Sequence, residues 1–335
     1  MQQQIGVAVQ KAQKIVVVQA DNPDADSLGS ALALEHILGD LGKDVVLYCG
    51  VAVPEYLRYL AGWDRVVDNL PSQFDLSIIV DASTYTLLEK LERSGQLAWV
   101  KSKPCIVLDH HATVEKRLDF TELQLVDETV ASTGELIFHL GISLGWPISR
   151  AASEQLMTSI LGDTQGLTND LTKASTYRVM AELTDRGANR PQLEELRRAY
   201  SKMPEKIYRY KGELIRNTEF FASGRIAIVH VPQPDINEYS PLYNPAPLIQ
   251  NDMLQTRGVA LAIVLKSYDD GRVTAALRAN TGYPIAAKLA EHLGGGGHAY
   301  AAGCKVTDGR SYNDIKTEAI RYAIDLLDQT HGDLA

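Results

Sequence analysis

Four segments of this 335-residue chain end in side chains that bind hard cations. Asp24 and Asp26 lie in Asn22-Pro23-Asp24-Ala25-Asp26-Ser27-Leu28-Gly29-Ser30, and Asp81 follows Ile78-Ile79-Val80. Asp109-His110-His111 follows Ile106-Val107-Leu108, and Asp163 follows Ile160-Leu161-Gly162. One acid after an apolar run is an ordinary turn or helix cap. Four such places, one with adjacent imidazoles, point to a shared divalent-metal centre. Carboxylate and imidazole ligands without thiolates suit Mn²⁺, with Mg²⁺ or Zn²⁺ as second choices. A second chemical signal is Gly294-Gly295-Gly296-Gly297-His298. Amides free of side chains can approach phosphate oxygens, and His298 with Arg278 can donate to them, although a glycine run also makes a plain flexible loop.

The elements that carry these residues read as α/β. Apolar runs at Ile15 to Gln19, Asp44 to Tyr48, Leu76 to Val80 and Cys105 to Leu108 are strands, and they alternate with amphipathic stretches. That pattern predicts a mostly parallel sheet with helices on both faces. Such sheets bind ligands at the carboxyl ends of their strands, where Asp24, Asp26 and Asp81 fall. Ser27 to Leu41 has helical period with Asp26 or Ser27 as cap, and Ile160 to Asp163 sits in a helical stretch. Residues 1–185 are assigned to this domain and the charged helical stretch 186–216 to a linker. Residues 217–335 form a smaller α/β domain with strands at Arg225 to Val231, Val259 to Lys266 and Val273 to Ala279. Asp270-Gly271 is a hairpin turn in it, and helices run over Pro284 to Leu293 and Ser311 to Leu327. Ser132-Thr133-Gly134-Glu135 reads as a helix-capping segment. Tyr208 and Tyr210, alternating with Arg209 and Lys211, fit either base stacking or a charged helix.

Composition narrows the function classes. With 33 basic and 42 acidic residues the net charge is −9, unsuited to broad capture of duplex nucleic acid or anionic membranes. No run approaches the ~20 apolar residues of a membrane span. Three scattered cysteines, Cys49, Cys105 and Cys304, indicate neither a disulfide framework nor a thiolate zinc site, so a reducing cytoplasm is expected.

Asp109-His110-His111, the Asn22-to-Ser30 segment, Val80-Asp81 and Gly162-Asp163-Thr164 together resemble the motifs of the DHH phosphoesterase superfamily. Gly294 to His298 followed by Ala299 to Gly303 is similar to the signature of the DHH-associated carboxyl-terminal domain. Length and domain order resemble the branch that acts on short oligonucleotides and 3′-phosphoadenosine 5′-phosphate. The resemblance implies Asp24 as ligand of one metal, Asp26, His110 and Asp163 as ligands of the other, and Asp81 bridging. It implies His111 beside the reacting phosphate, Asp109 supporting the histidines, and Arg278, Gly295, Gly296, Gly297 and His298 holding the nucleotide across a cleft. Two cations ~3.5–4 Å apart can activate a hydroxide and stabilise the leaving oxygen of an in-line displacement. The expected activity is hydrolysis of nanoRNA, dinucleotides such as pApA, or 3′-phosphoadenosine 5′-phosphate, and a homodimer is implied by resemblance. Ala20 stands where the family usually has a metal-binding histidine, which leaves a nucleotide-binding regulatory protein with weakened turnover as the alternative.

Overall fold

The computed structural model describes residues 1–111, 117–200, 202–240 and 243–332. The chain divides into two units, Met1–Lys202 and Met203–Ala335, each built on apolar clusters of its own. The first unit runs α1 (Gln2–Lys11), β1 (Lys14–Val18), α2 (Ala25–Asp40), β2 (Asp44–Tyr48), β3 (Leu76–Val80), α3 (Glu89–Arg93), α4 (Leu97–Lys101), β4 (Cys105–Asp109), β5 (Leu123–Val126), α5 (Thr133–Leu144), α6 (Arg150–Asp163), α7 (Ala174–Asp185) and α8 (Arg190–Tyr200).

Its five strands pair in parallel in the order β2-β1-β3-β4-β5. Successive strand side chains face opposite sides of a sheet, and both sides here are covered. Ile15, Val17, Ile78, Val80, Ile106 and Leu108 pack with α2, α5 and α6. Val16, Val18, Ile79, Cys105 and Val107 pack with Leu91, Leu97 and Val100 of α3 and α4. The chain leaves β1 for β2 on one side and continues from β3 on the other, so the sheet's switch point lies between β1 and β3. Asp24 and Asp26 at the start of α2 and Asp81 after β3 lie there.

Helix α2 starts two residues earlier than its periodicity suggested. Asp24 is its cap, in place of Asp26 or Ser27, because Asp24 Oδ1 accepts from Ser27 N at 3.0 Å. A Cβ on Gly29 would meet Gln155 O at 2.9 Å, and one on Gly162 would meet Ala25 Cβ at 2.7 Å. Glycine at both places therefore lets α2 and α6 approach almost backbone to backbone. Strand β5 was not anticipated: it is four half-buried residues at the sheet edge, too short for a clear alternation.

The segment expected to link the domains is two helices, one in each unit. In α9 (Glu205–Arg216), Ile207, Tyr210 and Leu214 are buried, and Tyr210 stacks on Tyr239 with ring centroids 3.8 Å apart. Tyr210 is thus core, whereas Tyr208 is exposed. The second unit continues with β6 (Glu219–Phe221), β7 (Ile226–Val231), α10 (Gln233–Tyr239), α11 (Pro245–Gln255), β8 (Leu261–Ser267), β9 (Val273–Ala279), α12 (Ala286–His292), β10 (Gly296–His298), β11 (Ala301–Val306) and α13 (Tyr312–Gly332). Its sheet order is β10-β11-β9-β8-β7-β6, antiparallel except for the β7–β8 pair. The β8–β9 turn passes through Asp270-Gly271, where Gly271 takes a φ of +81°. Among the described residues no helix is long and apolar enough to cross a membrane.

Candidate metal centre

Four of the expected ligands, Asp26, Asp81, His110 and Asp163, converge at the start of α2, the carboxyl ends of β3 and β4 and the end of α6. The buried His110 ring, 6% exposed, places Nε2 2.9 Å from Asp163 Oδ2, 3.5 Å from Asp26 Oδ2 and 3.9 Å from Asp81 Oδ1. Nε2 is thus a buried nitrogen among three carboxylates, nearest to Asp163 and without a well-aligned hydrogen bond to any of them. Among the described residues, Asp26, His110 and Asp163 offer ligand atoms all within 4.8 Å of one another, as do Asp81, His110 and His111. Asp24 belongs to neither group. Asp81 takes a φ of +58°, a left-handed backbone that follows directly on β3.

Asp26 is fixed by residues that sequence reasoning passed over. Its Oδ2 accepts from Thr133 N at 2.8 Å, and its Oδ1 accepts from Gly134 N at 3.2 Å, Ser30 Oγ at 3.0 Å and Ser159 Oγ at 2.5 Å. Ser132 does cap α5, accepting from Glu135 N at 3.1 Å, but the first amides of that helix also face a carboxylate. Hydrogen bonds to a charged group contribute about 1.5–3 kcal/mol each. The amino end of a helix adds favourable positive potential. The Thr133 hydroxyl also donates to Asp81 Oδ1 at 3.2 Å, clipping two acids to one helix start. Only the Ser/Thr-Gly cap spacing hinted at this, because 107 residues separate Asp26 from Thr133.

Behind the histidines, Asp109 Oδ1 accepts from His110 N at 2.8 Å and His111 N at 3.2 Å, and lies 2.9 Å from His111 Nδ1. Burial opposes the Asp109 charge, but hydrogen bonds from His111 and Ser83 outweigh it, and its pKa falls below the ordinary value. The bond to Asp109 in turn raises the pKa of His111, whose ring is half exposed. Burial drives the Asp81 carboxyl well above its usual range, and the charges of Asp26, Asp24, Asp163 and Asp109 push it further. Asp163 is raised to about 6, first by burial and then by Asp26 and Asp24. Burial would lower His110, but the carboxylates of Asp163, Asp26 and Asp109 prevail and raise it. Acids crowded around one imidazole, with Asp81 and Asp163 resisting ionisation, are what a divalent cation would resolve, and the oxygen and nitrogen donors suit Mn²⁺ or Mg²⁺. The residues therefore fit a metal centre.

The first strand contributes no ligand of its own. The Ala20 methyl is buried in the apolar cluster of Val16 and Val18. Asp21 is occupied elsewhere, its Oδ2 accepting from Lys90 N at 2.6 Å.

In the second unit the glycine run is partly strand. Residues His298, Ala301 and Arg278 are direct partners across β10, β11 and β9, so their side chains share one exposed face. With strands about 4.8 Å apart, the imidazole and guanidinium bracket a gap of about 10 Å floored by the Ala301 methyl. Gly296 lies on that same face with nothing within 4 Å of an added Cβ. Gly295 and Gly297 point the other way, where a Cβ would strike Gly303 O at 2.2 Å and Ala302 Cα at 2.6 Å. Two of the glycines are therefore required by strand packing, whereas Gly296, like Gly294 ahead of the strand, has open space where a side chain would stand. Among the other histidines, His292 stacks on Tyr322 and sits 2.9 Å from Glu318, and His230 lies 2.8 Å from Ser267 Oγ.

Comparison with known proteins agrees with this layout. Residues 14–161 match the model of the DHH family, N-terminal domain, and residues 246–330 match that of the DHHA1 domain. The chain is 27% identical over 282 residues to the bifunctional oligoribonuclease and PAP phosphatase NrnA of Thermus thermophilus, covering 84% of this chain and 81% of that protein. It is 22% identical over 321 residues to the cyclic-di-AMP phosphodiesterase GdpP of Geobacillus thermodenitrificans. That match takes in 90% of this chain but 46% of the relative, so this chain spans less than half of that protein's length. The crystal structure of an exopolyphosphatase-related protein from Bacteroides fragilis has the same fold, with a TM-score of 0.82, 22% identity and 97% coverage of both chains. Matched by family models in both units, this chain belongs to the DHH family and carries a DHHA1 domain in its carboxyl-terminal unit.

Proposed function

We propose that the chain is a divalent-metal-dependent phosphoesterase of small nucleotides, acting on short oligonucleotides, dinucleotides such as pApA, or 3′-phosphoadenosine 5′-phosphate. The observation that carries this reading is the buried His110 Nε2, ringed by Asp163, Asp26 and Asp81 at 2.9, 3.5 and 3.9 Å. The names of the two curated relatives, both acting on nucleotides, support the substrate class. Asp26, His110, Asp163 and Asp81, with Asp24 at the rim, would hold Mn²⁺. When bound, such ions lower the pKa of water and neutralise phosphate charge.

The chain's own residues do the rest. Asp109 fixes the His111 ring through Nδ1 and keeps it protonated to higher pH, so the half-exposed imidazolium suits a phosphate contact or proton donor to the leaving oxygen. Arg278 and His298 give charge-assisted donors to a phosphate over Gly296 and Ala301. The three free cysteines are buried, which accords with a reducing cytoplasm, and assembly as a homodimer belongs to the same reading.

The test is hydrolysis of 5′-labelled pApA, 3′-phosphoadenosine 5′-phosphate and oligomers of two to about twenty nucleotides, with Mn²⁺ and after chelation. Turnover should require metal, favour the shortest substrates and fall by about 10³-fold or more in Asp81→Asn, a loss of about 4 kcal/mol in transition-state stabilisation. Arg278→Ala should raise KM with metal content unchanged. Ala20 favours one second reading, a regulatory nucleotide-binding protein. Nucleotide binding without turnover in Mn²⁺ would establish it in place of the first.

A further inference from the structure

We infer that the two halves of the centre are unequal: the free protein takes up one divalent cation, at Asp26, His110 and Asp163, and a second is completed only by a phosphate oxygen of the ligand. The inference rests on the metal-dependent reading above and concerns the order in which the centre fills. The two candidate ligand groups share His110. A neutral imidazole nitrogen has a single acceptor lone pair, so Nε2 can serve one ion only.

Geometry decides which. Nε2 is nearer to Asp163 Oδ2, at 2.9 Å, and to Asp26 Oδ2, at 3.5 Å, than to Asp81 Oδ1, at 3.9 Å. Asp26 is also already locked in place by Thr133 N, Gly134 N, Ser30 and Ser159, so little order remains to be imposed on that side. Rigid ligands lose less entropy on binding.

The other side is poor in free donors once His110 is committed. His111 Nδ1 lies 3.5 Å from Asp81 Oδ1 but is engaged by Asp109 Oδ1 at 2.9 Å. Asp24 is exposed, with Oδ1 held by Ser27 N at 3.0 Å, and the neighbouring strand end presents the buried Ala20 methyl. Two carboxylates are then the protein's share, and ions such as Mg²⁺ are commonly held by one or two carboxylates plus substrate phosphate oxygens.

The experiment is equilibrium dialysis of the full chain against micromolar Mn²⁺, with bound metal counted per chain in the absence and presence of saturating adenosine 5′-monophosphate. The expected result is about one Mn²⁺ alone and about two with the nucleotide. Asp163→Asn should lose the nucleotide-independent ion. Asp24→Asn should keep it and lose the nucleotide-dependent increment, with circular dichroism and melting confirming that both variants are folded. Two tightly held ions without nucleotide, or undiminished uptake by folded Asp163→Asn, would overturn the inference. If metal-dependent hydrolysis persists in that case, the phosphoesterase reading stands and only the order falls. No Mn²⁺ with or without nucleotide, together with no turnover, removes both.

Discussion

The Asp81 and Asp163 carboxyls and the His110 imidazole all hold their protons more tightly than the free groups, which a cation would oppose, and this gives the centre a pH signature. The Asp163 carboxyl is raised from 3.8 to about 6, so the unfolded chain releases this proton first and ionisation disfavours the fold as pH climbs through that window. His110 is raised above 6.5, so its contribution is full below that value and is lost as pH rises through the raised one. Both signs agree. Metal-free protein should lose several degrees of Tm between pH 5 and 7.5, and Mn²⁺ should raise Tm more at pH 7.5 than at pH 5. Thermal melts at the two pH values check this, and an equal metal-induced shift at both would contradict it. At this scale the identity of the acids and imidazoles was legible in the sequence, because each follows an apolar run. Which atoms meet was not, since Thr133, Gly134 and Ser159 reach Asp26 only through tertiary packing.

Among the elements, β10 separates two uses of glycine. Gly297, at φ +144° with Ala302 Cα 2.6 Å from an added Cβ, has no room for a methyl, while Gly296 has nothing within 4 Å. Gly297→Ala should therefore destabilise the second unit by about 1–3 kcal/mol, the usual range for overpacking. Gly296→Ala should leave Tm nearly unchanged and weaken nucleotide binding, read by titration with adenosine 5′-monophosphate. Consecutive glycines carry no periodicity, so pairing with β11 alone reveals the strand. By contrast, β3 and β9 were readable to the residue, since a run broken only by Ser77 announces the first and the inward Val273, Ala275, Leu277 and Ala279 announce the second. Helix α9 misled for a related reason: its many charges suggested a solvated connector, yet Ile207, Tyr210 and Leu214 recur at helical spacing and are buried.

Over the whole chain, two self-contained sets of apolar clusters meet a boundary at Lys202 and Met203. Residues 203–335 expressed alone should unfold cooperatively and bind no Mn²⁺. Residues 1–202 alone should retain Mn²⁺ with nucleotide hydrolysis reduced by at least about tenfold. Calorimetry and metal counting on the two fragments check both statements. A noncooperative melt of the shorter fragment would show that its core is not sufficient. The existence of two α/β units was readable from the change of pattern, but the boundary was not, because α8 and α9 look alike in charge while packing in different units.

The close approach of α2 to α6 has a consequence for ion choice. These helices carry Asp26 and Asp163, and their separation is set by Gly29 against the Gln155 carbonyl and by Gly162 against Ala25 rather than by adaptable side chains. If these two carboxylates hold the cation proposed above, backbone set this rigidly should disfavour an ion as large as Ca²⁺ without any group dedicated to rejecting it, and Ca²⁺ should then fail to displace Mn²⁺ in competition dialysis.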